Sequence, residues 1–149
     1  MRLALGIFPN LEKNSVRNIL RHVVDFCKNN NIEPILPYGI AEEYACKGYA
    51  TDDFSSMQCF TAAMSLGGDG TLLRMTRHTA SLKIPVFGVN FGKLGFLTEV
   101  EFPQMEEAIL KVRDGDFWVE QRSMLQAAVF DENKHEAICA HALNDFVLT

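Results

Sequence analysis

Residues 60–80 read FTAAMSLGGDGTLLRMTRHTA. The run 60–66 is continuously apolar, the pattern of a strand covered on both faces. From Thr71 onward the apolar positions recur at helical spacing, and residues 84–89 give a second apolar strand. A strand, helix, strand unit with a parallel pairing is therefore expected. Between the first strand and the helix stand Gly67, Gly68 and Gly70 around a single Asp69. A turn needs only one glycine.

Placed at the C-terminal end of a strand, this loop has a definite chemistry. Without Cβ atoms, Gly67, Gly68 and Gly70 are expected to allow positive φ and close approach of a bound group to their amides. Thr71 is expected to open the helix, whose unsatisfied amides and dipole favour a phosphate by about 0.3–1 kcal/mol. Arg74 follows one turn later. Asp69 is out of place beside an anion unless it binds a metal ion or removes a proton. A proton acceptor of this kind contributes about 10²- to 10⁴-fold in rate, so its presence points to group transfer rather than to binding alone. The competing reading is a tight turn with a solvated aspartate, but three glycines overspecify a turn. Neither GxxxxGK[ST] nor GxGxxG occurs, which disfavours Walker-type hydrolysis and a dinucleotide-dependent dehydrogenase.

Outward from the loop, the periods alternate. Residues 3–8 read as a buried strand ending at Pro9-Asn10. Residues 15–29 have the spacing of an amphipathic helix, and residues 32–36 form a short strand whose Pro34 suits an edge or a strand start. Residues 41–56 are read as a helical turn and a loop carrying Asp52 and Asp53, adjacent carboxylates that tend to point apart and make a poor metal site. A helix starting at Pro103, with Met105, Ile109 and Val112 inward, should stop at Gly115. Residues 117–130 and 136–149, separated by DENKH, read as a hairpin. The expected organisation is an α/β domain over 1–100, then a connecting helix and the first strands of a β-rich domain over 101–149. The apolar end at 146–149 would leave a hairpin edge unpaired, so the chain is expected to continue in a longer protein.

The chain has 149 residues, of which 48% are hydrophobic and 22% charged, the balance of a folded domain. A net charge of −5 without clustered Lys and Arg argues against nucleic acid or anionic membrane as partners. With no apolar span or signal peptide, a cytoplasmic location is expected. Cys27, Cys46, Cys59 and Cys139 show no paired spacing and are read as buried, reduced thiols, and the four histidines show no metal-site spacing.

Three stretches together resemble the NAD kinase family in order and spacing, over nearly the whole chain. They are Gly67-Gly68-Asp69-Gly70-Thr71, the segment GVNFGKLGFLTE at 88–99, and Ala142-Leu143-Asn144-Asp145. The first is shared with lipid kinases of the diacylglycerol and sphingosine type and loosely with phosphofructokinases, whereas the second is far more specific. Arg122-Ser123-Met124-Leu125 also looks like the start of that family's second domain. The resemblance implies a Rossmann-like parallel sheet domain followed by the start of a β-rich domain. It implies phosphoryl transfer from ATP to the 2′-hydroxyl of the adenosine ribose of NAD, giving NADP with a divalent metal such as Mg²⁺, in a homodimer or homotetramer. Asp69 would accept the ribose proton, with Gly68, Gly70 and Thr71 beside the nucleotide and Arg74 in contact with it. Phe96 would pack near adenine, and Asn144 and Asp145 would bind NAD. Read from the residues alone, Phe96 is equally a core residue, and 144–145 equally a strand end or bulge. The chain lacks the downstream glycine- and threonine-rich segment with which the family completes its pocket, so activity does not carry over to this stretch by itself. Two alternatives differ in class. A diacylglycerol-type lipid kinase would show a GTGN-type stretch soon after the loop, which is absent. A non-catalytic nucleotide-binding module would keep the loop without the chemistry.

Overall fold

In a computed structural model, the described residues are 3–12, 14–50, 54–92, 95–130 and 136–145. Asp52, Asp53, the expected turn at 131–135 and the terminal 146–149 lie outside them. Strand β1 (Ala4–Pro9) leads into helix α1 (Asn14–Asn29), strand β2 (Glu33–Pro37), the short helix α2 (Tyr38–Ala41) and strand β3 (Lys47–Tyr49). Strand β4 (Ala62–Gly67), helix α3 (Asp69–Thr79), strand β5 (Val86–Asn90), the two-residue β6 (Val100–Glu101) and helix α4 (Met105–Asp114) follow.

The six strands form one parallel sheet in the order β3-β2-β1-β4-β5-β6. From β1 the chain runs outward to β3, then returns to lay β4 against the other side of β1. That reversal makes a topological switch point between β1 and β4, the place where open α/β sheets bind ligands beyond their carboxyl ends. β1 and β4 pair from Leu5↔Ala62 to Pro9↔Leu66, so β1 ends beside the glycine cluster.

Alternation along the strands supplies two apolar faces. Leu5 and Ile7 of β1 and Ala62, Met64 and Leu66 of β4 pack with Val16, Leu20, Val23 and Cys27 of α1 and with Met105 and Ile109 of α4. On the opposite face, Ala63 of β4 and Ile35 of β2 meet Leu72 and Met75 of α3, along with Tyr49 and Phe60. Strand β3 lies within the stretch read as helical turn and loop. Its three residues, KGY, carry no alternation long enough to be seen in sequence, and pairing with β2 makes the strand. Pro34 occupies the second position of β2, which suits a strand start, but β2 is internal to the sheet.

The chain divides into two compact units between Trp118 and Val119, whereas the sequence pattern places a boundary near residue 100, ahead of the connecting helix. The reason is α4, which buries Met105 and Ile109 in the core of the first unit and ends at Gly115 with φ 76°, the expected left-handed stop. In the second unit, β7 (Leu125–Phe130) and β8 (Glu136–Ala142) pair antiparallel, with a register shift at Val129/Phe130. The first arm of the hairpin is shorter than expected, since residues 117–124 are not strand. Cys27 is buried, as expected, and burial followed by the charge of Cys46 pushes its thiol up to about 12. Cys46, packed at the margin of the core, is only half-buried, and Cys59 is exposed, contrary to expectation; the side chain of Cys139 lies outside the described part of the structure. Among the described residues no helix is long and apolar enough to cross a membrane.

Because Ile109 is fully buried in the first unit, Ile109→Ala should cost that unit about 2–5 kcal/mol. Urea unfolding of the full-length protein checks this. An unfolding midpoint unchanged in the α/β transition would place α4 with the second unit instead.

Candidate functional site

Helix α3 begins two residues earlier than expected. Gly68, in extended conformation (φ −114°, ψ −167°), is its N-cap and makes no side-chain cap, and Asp69 is the first helical residue. The leading amides of a helix have no partner inside it, so this uncapped end presents donors together with the positive end of the dipole. Thr71 is therefore the third helical residue, not the first.

The glycines act differently from what their number implies. None of the three adopts positive φ, and among the described residues the only glycine that does is Gly115. Gly67 is required by contact, since a Cβ there would overlap the Thr71 hydroxyl oxygen. At Gly68 and Gly70 a Cβ would meet nothing within 4 Å. Those two positions leave bare backbone facing open space, which is what close approach of a ligand to main-chain amides demands.

That open space is a pocket of about 580 Å³. Gly68, Gly70, Thr71 and Arg74 line one side, and Phe8, Pro9 and Asn10 at the end of β1 line another. Tyr49, buried and donating its hydroxyl to Ile7 O at 3.0 Å, braces the wall in an aromatic cluster with Phe8 (4.9 Å between ring centroids) and Phe60 (5.2 Å). Burial raises its proton affinity, so it stays a neutral phenol. His78 also lines the pocket. Its pKa is lowered by burial and then by Arg74 and Arg77, so the imidazole is neutral near pH 7 and Arg74 is the cation on this wall.

Asp69 is not in that lining. Its side chain turns toward the segment after β5, where among the described residues the carboxylate accepts four hydrogen bonds. Oδ2 accepts from the Phe96 amide at 2.8 Å. Oδ1 accepts from the amides of Leu97 (3.3 Å) and Thr98 (3.0 Å) and from the Thr98 hydroxyl (2.9 Å). Gly95 permits this approach, because a Cβ there would overlap the carboxylate. Burial pushes the Asp69 pKa up, but the bonds from Phe96, Thr98 and Leu97 outweigh it and hold it below the ordinary value of 3.8. The solvated aspartate of a simple turn is excluded.

Phe96 is 100% exposed, which rules out a core role and leaves its ring open to a stacking partner. The site residues predicted from sequence therefore fall into three groups. Gly68, Gly70, Thr71 and Arg74 share the pocket, Asp69 and Phe96 meet on the neighbouring side of the α3 terminus, and Asn144 and Asp145 belong to the second unit. There they are exposed and follow the last residue of β8 instead of lying within a strand. Sequence reasoning missed Asn10 and Tyr49, which reach the pocket through sheet topology, and Thr98, whose partner is 29 residues away. No group of three or more His, Cys, Asp or Glu able to hold a metal occurs among the described residues.

The family described as the ATP-NAD kinase N-terminal domain matches residues 5–117. The NAD kinase of Moorella thermoacetica is 34% identical over 147 residues, covering 97% of this chain and 46% of that protein. NAD kinases from a Thermoanaerobacter species and from Pseudomonas putida are 36% and 37% identical, each over 97% of this chain and 51% and 49% of their own length. The crystal structure of yeast NADH kinase complexed with NADH has the same fold, with a TM-score of 0.79 at 19% identity, over 96% of this chain and 47% of that one. The chain thus spans about half the length of the relatives it matches.

The lowered pKa gives a stability prediction whose sign is fixed. Ionised Asp69 stabilises the folded state fully above the unfolded carboxylate pKa, and that contribution is lost as pH falls through the lower folded value. Asp69→Asn should therefore lower the thermal midpoint at neutral pH, by a margin that shrinks below about pH 4. A margin that stays constant down to pH 2 would contradict the hydrogen-bond geometry.

Proposed function

The chain belongs to the NAD kinase family, and on that footing we propose that the complete protein transfers a phosphoryl group from ATP to the 2′-hydroxyl of the adenosine ribose of NAD, making NADP. The observation that carries this is a carboxylate set beside an uncapped helix terminus whose glycines leave the backbone bare. Phosphoryl transfer has a loose transition state, so the protein contributes mainly position and charge. The α3 amides, Thr71 and Arg74 supply both toward the pocket, where we place the phosphates of the donor. NAD then lies on the Asp69 side, with its adenine against the exposed ring of Phe96.

A depressed pKa is compatible with this role. Asp69 is ionised throughout the physiological range, so the acceptor is always ready. In a loose transition state the attacking hydroxyl becomes strongly acidic only as the new P–O bond forms, and a weak base then suffices. Among the described residues Oδ2 receives a single hydrogen bond, from the Phe96 amide, and keeps accepting capacity for that hydroxyl.

Mg²⁺ would neutralise charge on the phosphates. Among the described residues no group of three or more His, Cys, Asp or Glu is placed to hold it. It fits as an ion that arrives with the nucleotide, held by phosphate oxygens and water. The same reading carries a cytoplasmic location and a homo-oligomer of two or four subunits.

An assay of NADP formation by the full-length protein tests the proposal. Wild type should turn over with ATP and NAD, and Asp69→Asn should lose about 10²- to 10⁴-fold in kcat. NAD binding without turnover in the wild type would favour the non-catalytic module.

A further inference from the structure

We propose that Thr98, fixed in turn by Asn90, is a positioning residue that sets which oxygen of the Asp69 carboxylate is left to receive the substrate proton. The inference rests on the reading of Asp69 as that acceptor. Rotation about the last side-chain torsion of an aspartate is broad, so the carboxylate's orientation must come from its hydrogen bonds rather than from its rotamer.

Those bonds are unequal. Oδ1 takes three and Oδ2 takes one. The Thr98 hydroxyl makes the shortest of the three at Oδ1, and among the described residues it is the one bond to this carboxylate that a side chain supplies. Its direction is determined by a chain of donors. The Gly92 amide donates to Asn90 Oδ1 at 3.0 Å, which fixes the amide so that Nδ2 faces Thr98. Nδ2 then donates to Thr98 Oγ1 at 3.1 Å. Since Nδ2 is donor only and an ionised carboxylate is acceptor only, the single Thr98 proton must go to Asp69.

Burial and packing hold the relay in place. Thr98 is 1% exposed and Asn90 7%, so water does not compete for these bonds. The Thr98 methyl lies over Gly88, where an added Cβ would come within 2.6 Å of it. Threonine is stiff at χ1, and this contact locks the hydroxyl as well as the methyl. Two residues of β5, Gly88 and Asn90, thus decide how a carboxylate on α3 is turned. Among the described residues, the proton affinity of Asp69 is set by burial and by the donors of residues 96–98.

The test compares full-length wild type with Thr98→Val and Thr98→Ser. Valine keeps the shape and removes the hydroxyl, whereas serine keeps the hydroxyl and removes the methyl. Thr98→Val should lower kcat on the order of ten- to a hundredfold with little change in KM for NAD, and Thr98→Ser should restore most of kcat even where its thermal midpoint is lower. Carbon-detected NMR titration gives a readout independent of turnover. The Asp69 pKa should rise in Thr98→Val, because a bond favouring the charged form is gone, and stay near wild type in Thr98→Ser. A wild-type kcat in Thr98→Val overturns the proposal, as does an unshifted Asp69 pKa or a kcat that only tracks the thermal midpoints. If wild type makes no NADP yet the pKa pattern appears, the acceptor role of Asp69 fails while its orientation by Thr98 stands.

Discussion

The Asp69 carboxylate accepts hydrogen bonds from three successive main-chain amides and one hydroxyl, and so ties the first turn of α3 to the segment that follows β5. Most of the site's geometry follows from that tie. It orients the helix terminus, fixes the path of residues 95–98 and leaves the Phe96 ring outside the core. Bonds to an ionised acceptor are about twice as strong as neutral ones, so a single side chain can hold a loop that has few apolar contacts of its own.

Glycine does two different jobs here, and neither is the one its conformational freedom first implies. Gly67, Gly88 and Gly95 are sites of close approach, where Thr71, Thr98 and Asp69 respectively occupy the space a Cβ would need. Gly68 and Gly70 face open volume at the pocket. The former bring the site's side chains into contact, and the latter keep its mouth clear. Backbone strain plays no part in either, since all five lie outside the positive-φ region.

Around the α3 terminus the two functional sides divide cleanly. One is a concave pocket with amides, a hydroxyl and the Arg74 cation, walled by Phe8 and Tyr49, which pack on Phe60 behind them. The other presents a carboxylate and an exposed aromatic ring. On the function proposed above, this division would keep the phosphates of the donor clear of the Asp69 carboxylate. The switch between β1 and β4 puts both sides at the carboxyl edge of one sheet.

Local pattern was enough to reveal the elements whose burial follows a fixed period. The strands β1 and β4 were legible as continuous apolar runs, and α1 and α4 because each buries one periodic set of residues, as Val16, Leu20 and Val23 or Met105 and Ile109 do. GGDGT marked the passage from strand to helix as more than a plain turn, because three glycines around one aspartate overspecify a turn. Strand β3 was not legible, since three residues carry no period, and the extent of the first unit was not, since α4 is assigned by what it packs against. The orientation of Asp69 lay further out of reach. Its donors sit 27–29 positions away and are mostly main-chain amides, which are the same for every residue type. Sequence determined that a carboxylate would stand at this helix terminus. Only the tertiary structure decided which way it turns, because hydrogen bonds across strands depend on where the backbone has been carried and not on which side chains it bears.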